Sequence, residues 1–463
     1  MITNIKINGF KSFHNFEMEF TPFTVVAGVN ASGKSNLFDA MKLLSNLAES
    51  DKLKKAFMAE QRGDLLELFT QINNNEYATE MEFCVEMLVN RTVKDAWGNE
   101  SSLKYTRLRY ELKIKRYTND SGIEDLTVTH EHLENLRHGE DVWLKIINKD
   151  YVEHWRPKVK TGKRGIPYIQ TVIDENGIAT VEVPQDGTTG NKRRFHLINA
   201  GRTVLSSFDT IDFPHVLAAK EEMKSWKFWE LSSEDLRQPT SKQNGDDELT
   251  QSGKNLAAVL YRIKQDDVYY LKEISRKLQT FLPNFTDVDV IDDAENKQYV
   301  IKLKDKDKKE YSSRVLSEGT LRLLTLCIMQ YDDRYSGLLC FEEPENGIHP
   351  ARISEIAKLL KEMCVDFTNE LSSLRQIIIN THSPVLIGHI FKWKWDRQIS
   401  IWYAEMRERV TEIHNKRSAI RITIILPVIK DNEIQISFEV SEQDRKLTLS
   451  KVTNYLETAS SLM

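Results

Sequence analysis

The sequence predicts an α/β fold: a mixed, mostly parallel β-sheet with flanking helices, an antiparallel β lobe, and a helical and strand-bearing insertion between the two halves of the sheet. Three observations predict it. A short apolar strand, 23–27, runs into a glycine-rich loop and then a helix. From residue 315 onward the order is helix, strand, helix, strand, helix, the pattern of parallel βα units. Between these parts, segments 80–89, 103–116 and 126–136 alternate apolar and polar residues, as antiparallel strands do.

The elements follow in chain order. Residues 2–7 and 16–20 alternate and read as strands, and 23–27 is short and fully apolar. Leu37, Met41, Leu44 and Leu47 recur at helical spacing across 35–47. Segments 158–174 and 188–194 are rich in Lys, Arg, Gly and Thr and should be exposed loops or edges. Residues 214–231 and 253–281 look helical, the polar stretch 239–250 reads as a linker, and 287–303 returns to strand. The tail, 441–462, looks like a terminal helix. There is no solenoid-length repeat and no sustained heptad pattern.

Composition narrows the class. With 40% hydrophobic and 29% charged residues in 463, the chain can bury a large core. A net charge of −5 gives no global attraction to nucleic acid or acidic membrane, so any such binding needs a local basic patch. The longest apolar stretch, 422–429, is too short to span a bilayer, and residues 1–11 read as a strand and not as a signal peptide. Four scattered cysteines, Cys84, Cys327, Cys340 and Cys364, fit a reducing cytoplasm and neither a zinc knuckle nor a disulfide scaffold. Cys327 and Cys340 lie in apolar segments and should be core residues.

Four motifs carry the chemistry. Residues 28–35 read Gly-Val-Asn-Ala-Ser-Gly-Lys-Ser, a match to G-x-x-x-x-G-K-[ST] in the strand–loop–helix context that motif needs. Such a loop turns its N–H groups onto a polyanion, and the helix start adds its positive end. Lys34 would reach the β- and γ-phosphates and Ser35 would ligate Mg2+. The apolar strand 338–341 ends in Glu342 and Glu343, at the end of a strand where ligands bind in open α/β sheets. Glu342 would hold the metal shell and Glu343 would deprotonate the attacking water. Ser317, Glu318 and Gly319 start an apolar helix one element upstream, where hydroxyl and N–H groups can meet a γ-phosphate. Finally, Asn380-Thr381-His382-Ser383-Pro384 follows another apolar strand and offers a histidine that can sense that phosphate.

Together these residues resemble the Walker A, signature, Walker B and switch-histidine motifs of the ABC ATPases. The variants Phe10-Lys11-Ser12-Phe13, Asn30 to Asn36, Glu342-Glu343-Pro344-Glu345-Asn346-Gly347-Ile348-His349-Pro350 and Thr381-His382-Ser383-Pro384 resemble the RecF, SMC and OLD branch, most of all the prokaryotic OLD-type ATPases. The resemblance implies a P-loop ABC-type ATPase head with ATP and Mg2+ as ligands. It implies ATP contacts from Lys11, Asn30, Ala31, Ser32, Gly33, Lys34, Ser35 and Asn36, catalysis by Glu343 and His382, and metal contacts from Ser35, Glu342 and Gln71. Ser317, Glu318 and Gly319 would act in trans on a partner's nucleotide, and the loop 346–350 would touch the opposite subunit. Three departures stand out: Glu318 where transporters carry glycine, Glu342 in place of aspartate, and a Q-loop whose one candidate, Gln71, follows the segment 62–69.

The implied organisation is 1–75 as the N-terminal part of the head, 76–310 as the antiparallel lobe and insertion for dimerisation or sensing, 311–395 as the C-terminal part of the head, and 396–463 as a strand and helix segment. A homodimer or higher even-numbered homo-oligomer follows from the resemblance. So does a role beside a separate nuclease or toxin effector in an anti-phage system. No D-x-D pair follows His382, so the chain should carry no nuclease of its own; Asp287 and Asp289 read as a solvated strand end. A RecF-like DNA-binding ATPase is the alternative. For it, Lys158, Lys160, Lys163, Arg164, Lys192, Arg193 and Arg194 offer a basic patch, against the reading of solvated loops.

Overall fold

The computed structural model describes residues 1–59, 64–73, 76–158, 165–173, 177–185, 191–244, 248–332, 334–393, 395–413, 416–428 and 450. The chain opens with β1 (Ile2–Asn8), β2 (Phe16–Glu19) and β3 (Phe23–Ala27), followed by α1 (Lys34–Glu49) and α2 (Leu53–Met58). Next come β4 (Gln71–Asn73), β5 (Glu76–Tyr77), β6 (Glu80–Leu88), β7 (Thr92–Lys94), β8 (Glu100–Ser102) and the long strands β9 (Arg107–Thr118) and β10 (Glu124–Asn135). The middle holds α3 (Val152–Trp155), β11 (Ile169–Ile173), β12 (Ala179–Pro184), β13 (Lys192–His196), α4 (Pro214–Lys224), β14 (Lys227–Trp229), α5 (Ser233–Arg237) and β15 (Thr240–Ser241). Then follow α6 (Leu256–Asp266), α7 (Val268–Phe281), β16 (Phe285–Asp293), β17 (Gln298–Asp305) and β18 (Glu310–Ser312). The last part alternates α8 (Glu318–Gln330), β19 (Gly337–Glu342), α9 (Ile353–Glu362), β20 (Arg375–Thr381) and α10 (Pro384–Phe391), and closes with β21 (Ile399–Ile413) and β22 (Lys416–Pro427).

Two sheets dominate. One has six strands in the order β14-β19-β20-β3-β21-β22, parallel from β14 through β21, with β22 antiparallel at the edge. The other has eight antiparallel strands in the order β13-β12-β11-β10-β9-β6-β1-β2. The central strands of the parallel sheet are apolar on both faces because helices cover both. Val26, Leu338, Cys340 and Ile378 point to the core shared with α1, α4 and the antiparallel lobe. Val25, Ala27, Leu339, Phe341, Ile377 and Ile379 point to the core shared with α6 to α10. Each such buried side chain contributes roughly 1.5–3 kcal/mol relative to exposure, which fixes the register of the strands whose ends form the site.

The P-loop ABC-type head and its antiparallel lobe are thus as the sequence predicts, and Cys327 and Cys340 are buried in the core. Four segments differ. The region 214–231 is helical only to Lys224; Lys227–Trp229 is a strand, since pairing with β19 buries Trp229 against Phe341. The helix expected over 253–281 breaks at Asp267, whose carboxylate caps α7 through the Tyr269 N–H at 2.8 Å. Residues 287–303 are a hairpin, turned at Lys297 with φ 52. The stretch 239–250 contributes β15, which pairs with β17. The expected terminal helix at 441–462 lies outside the described residues. Among the described residues no helix is long and apolar enough to cross a membrane.

Candidate functional site

Strand order assembles the site. β20 is inserted between β19 and β3, so Glu342, Asn380 and Val26 share one row, and Thr381 and Ala27 the next. His382 and Gly28 therefore leave the sheet side by side, with Glu343 on the far flank. The loop 28–33 is strained where an anion cradle requires it. Ala31 has φ 61 and Gly33 φ 87, and Gly33 caps α1, whose N-terminus faces the loop. Glycine is required twice. A Cβ at Gly28 would meet the Ala404 carbonyl at 2.5 Å, and one at Gly33 would meet Thr423 Oγ1 at 1.8 Å. The β21–β22 hairpin thus packs directly on this loop. Ser12 Oγ and Thr423 Oγ1 lie 2.6 Å apart, and the Thr423 N–H donates to Ser12 O at 2.9 Å.

Lys34 is buried, and its ammonium donates to the carbonyls of Gly28 and Val29, each at 2.8 Å. Burial lowers its pKa, against the pull of Glu343, Glu342 and Glu345. Those three carboxylates and the cation form one electrostatic unit. Glu343 sits at φ 45, a strained conformation for a non-glycine residue. Its N–H donates to Asn380 O at 3.0 Å. Its carboxylate meets His382 Nδ1 at 2.6 Å and accepts from Asn346 Nδ2 at 2.6 Å. Glu345 is buried; Thr381 Oγ1 donates to its Oε1, and burial pushes its carboxyl up despite that bond.

Lys11, at φ 45, pairs with Asp39 at 2.7 Å, and Asn36 Nδ2 donates to Ser12 Oγ at 2.7 Å. Lys11, Ser12, Asn36 and Gln71 line a cavity of about 620 Å3 with Tyr77, Met406 and Arg421. Gln71 lies on the β4–β5 hairpin, which Ile72 anchors to Ile420 and Ile422 of β22. Glu342 lines a different cavity, of about 250 Å3, with Asp39, Lys42, Glu230 and Gln251. Glu230 lies one register step beyond the Trp229–Phe341 pair, alongside Glu342. Sequence reasoning missed it; the signal was Lys227-Phe228-Trp229-Glu230, a second aromatic strand ending in an acid.

Ser317 is exposed and caps α8, its Oγ accepting from the Thr320 N–H at 3.2 Å; Glu318 pairs with Arg322 at 3.1 Å. Gly319 packs on the turn after Glu343, where a Cβ would meet Gly347 O at 2.5 Å. The basic patch is largely engaged. Lys192 and Arg194 pair with Glu182 at 2.7 and 3.1 Å, Lys158 with Glu153 at 3.3 Å, and Arg193 lies over the Phe213 ring at 5.0 Å. Lys160, Lys163 and Arg164 lie outside the described residues. Asp289 is paired with Lys264 at 2.5 Å.

The residues fit the phosphates of a nucleotide. Ser32 Oγ is buried in the loop with no protein partner, Lys34 is held beside three carboxylates, and the loop backbone is left-handed at Ala31 and Gly33. Fold and site together define a P-loop ATPase head of the ABC type.

Residues 183–388 match the family model described as "AAA domain, putative AbiEii toxin, Type IV TA system". The match spans Ser317, Glu342, Glu343 and His382 and starts after the 28–35 loop. No curated protein matches the chain. Among solved structures, the Smc head bound to the C-winged helix domain of ScpA is 14% identical, covers 92% of this chain and 98% of its own, and has a TM-score of 0.49. The SMC head domain from Thermotoga maritima is 12% identical, with coverage of 93% and 99% and a TM-score of 0.38. The Smc head with an extended coiled coil from Pyrococcus furiosus, bound to the C-terminal domain of ScpA, is 14% identical, with coverage of 98% and 99% and a TM-score of 0.42.

Proposed function

We propose that the chain binds and hydrolyses ATP as a head-to-tail dimer, each nucleotide lying between residues 28–35 of one protomer and Ser317–Gly319 of the other. The observation that carries this reading is Glu343, strained at φ 45 and held between His382 and Asn346 beside the Lys34 ammonium. Backbone N–H groups of the loop and Lys34 bind the phosphates, with Lys34 exchanging the Gly28 and Val29 carbonyls for phosphate oxygens. Ser35 and Glu342 would hold magnesium, which when bound would neutralise phosphate charge. Glu343 accepts the proton of the attacking water as the water oxygen bonds to phosphorus and the bond to ADP breaks. His382 orients Glu343 and reports whether phosphate is present. Ser317 and the start of α8 add donors from the second protomer.

The wider role we propose is that of a nucleotide-switched sensor and scaffold in an anti-phage complex with a separate nuclease or toxin. The family description, with its toxin and Type IV toxin–antitoxin system, supports that setting. The DNA-clamp alternative finds its described cations mostly paired within the chain. Purification from the native host with ATP tests the role: a co-purifying nuclease or toxin supports it, and ATP-dependent binding to DNA ends with no protein partner overturns it. Light scattering with ATP on the Glu343→Gln variant tests the core reading. A trapped dimer is expected, and a monomer with unchanged ATP turnover overturns it.

A further inference from the structure

One turn of this chain touches both nucleotide surfaces. Glu345 is only 7% exposed and accepts a hydrogen bond from the Thr381 hydroxyl at the end of β20. The same Thr381 oxygen accepts the Ser383 N–H at 2.9 Å, so Glu345 and the backbone flanking His382 are held by one atom. Thr381 pairs in register with Ala27, the last residue before the phosphate loop. On its other side the turn is tight. The Asn346 N–H bonds Glu343 O at 3.0 Å, the Ile348 N–H bonds Glu345 O at 3.1 Å, and Gly347 has φ 71. Gly347 then meets the loop at 317–319 in both directions. A Cβ on Gly319 would reach Gly347 O at 2.5 Å, and a Cβ on Gly347 would reach Glu318 Cδ at 2.9 Å. With no slack at either end, a shift at Thr381 is handed to Gly319. The second Glu345 oxygen, Oε2, is buried with no protein partner, so the Thr381 hydroxyl, with the residue's own backbone N–H, orients the carboxylate.

We propose that Glu345 is a positioning residue that couples the two nucleotide sites of the dimer: it latches the end of β20 beside a protomer's own phosphate to the turn that seats the loop serving its partner's phosphate. The proposal rests on the dimer reading above. Phosphate loss at one site would pull on Thr381, move the 343–347 turn and loosen the loop at the other site. Hydrolysis in the intact protein is then cooperative in ATP.

The test compares Glu345→Ala, Glu345→Gln and Thr381→Val in the full chain. It reads ATP hydrolysis against ATP concentration, and ATP-dependent dimerisation by light scattering. The wild type is expected to dimerise with ATP and to show a Hill coefficient above one. Glu345→Ala should still dimerise while its Hill coefficient falls to one and its turnover drops about tenfold. Thr381→Val removes the donor at constant shape and should reproduce that loss, and the double variant should be no worse than either single. Glu345→Gln keeps an acceptor for Thr381 and should restore cooperativity. Cooperativity that survives in Glu345→Ala and Thr381→Val, additive losses in the double variant, or a Gln variant as impaired as Ala would each overturn the latch. A wild type that does not dimerise with ATP defeats the dimer reading and the latch together, whereas a normal dimer with unchanged cooperativity in the variants defeats the latch alone.

Discussion

Two buried glutamates, one in the antiparallel sheet and one in the turn that follows β19 of the parallel sheet, are treated in opposite ways. Glu131 of β10 is fully buried in the antiparallel lobe, and both its oxygens are satisfied. Tyr110 Oη and the Leu205 N–H donate to Oε1 at 3.0 and 2.7 Å, and the Val204 N–H donates to Oε2 at 2.6 Å. Glu345, at the end of the parallel sheet, has one oxygen bonded and the other without a protein partner. The backbone draws the same contrast. At the nucleotide end positive φ falls on Lys11, Ala31 and Glu343, where strain is sustained by the packing around it, whereas in the antiparallel lobe it falls on Asn15 and Asn199, a residue type that adopts it readily. A saturated carboxylate holds a fold together; an unsaturated one beside a lysine and strained loops is built to meet a ligand.

The sharpest way to break this contrast is to remove the cation at the ligand end. Lys34→Ala should lower affinity for labelled ATP by at least about 100-fold, because a charge-assisted phosphate contact and the counter-charge of three carboxylates go together. Binding within tenfold of wild type would mean that the 28–35 loop is not the phosphate site. One step smaller, Glu343→Gln should leave ATP binding intact and slow phosphate release by roughly 100- to 10,000-fold, the span of a lost general base. A single-turnover assay separates that loss from slow product release.

The ligand end was legible because its elements are local. Strand, loop and helix are contiguous over 23–47, and β19 and β20 are short apolar runs that end in their functional residues. What escaped is decided by partners far along the chain. β14 has three residues and continues the apolar run of α4, so only its pairing with β19 makes it a strand and brings Glu230 alongside Glu342. The cover over the P-loop was equally hidden, since Thr423 reaches Ser12 from 411 residues away. Gln71 was named on sequence order alone; what the sequence did not show is the three-residue strand, anchored to β22, that sets it in one cavity with Lys11 and Asn36.

In the lobe the predicted effect is on stability and pH, with ATP affinity unchanged. Burial pushes the Glu131 carboxyl up to about 7, against the bonds from Val204, Leu205 and Tyr110 that pull it down. An unfolded glutamate titrates near 4.3, so between about pH 4.3 and about pH 7 the folded chain binds the extra proton. Stability therefore falls as pH rises through that window, by roughly 3 kcal/mol in total, and is flat with respect to this group above it. Glu131→Gln should flatten the slope in denaturant melts run from pH 5 to 8. Glu131→Ala, which strands two backbone N–H groups, should cost roughly 2–4 kcal/mol near pH 5 and less as pH rises through the window, because the variant lacks the titrating group. A slope that persists in Glu131→Gln would assign it to another group.

The smallest effect belongs to the basic edge of the same sheet, where the contrast between saturated and available groups can be pressed furthest. Lys192 and Arg194 both lean on Glu182 across the β12–β13 pair, and Glu182 is held below the usual carboxylate range, first by its hydrogen bond from Lys192. The two cations are thus partly spent on a neighbour. Exposed pairs of this kind contribute about 0–1 kcal/mol, so replacing both with alanine should move stability by no more than that. Because the edge offers little unpaired charge, the same double replacement should leave salt-dependent DNA binding within about twofold of wild type, with the slope of log affinity against log salt unchanged. If the slope instead dropped by about one to two, these side chains would be contacting phosphates, and the antiparallel edge would join the nucleotide end as a surface built to receive a ligand.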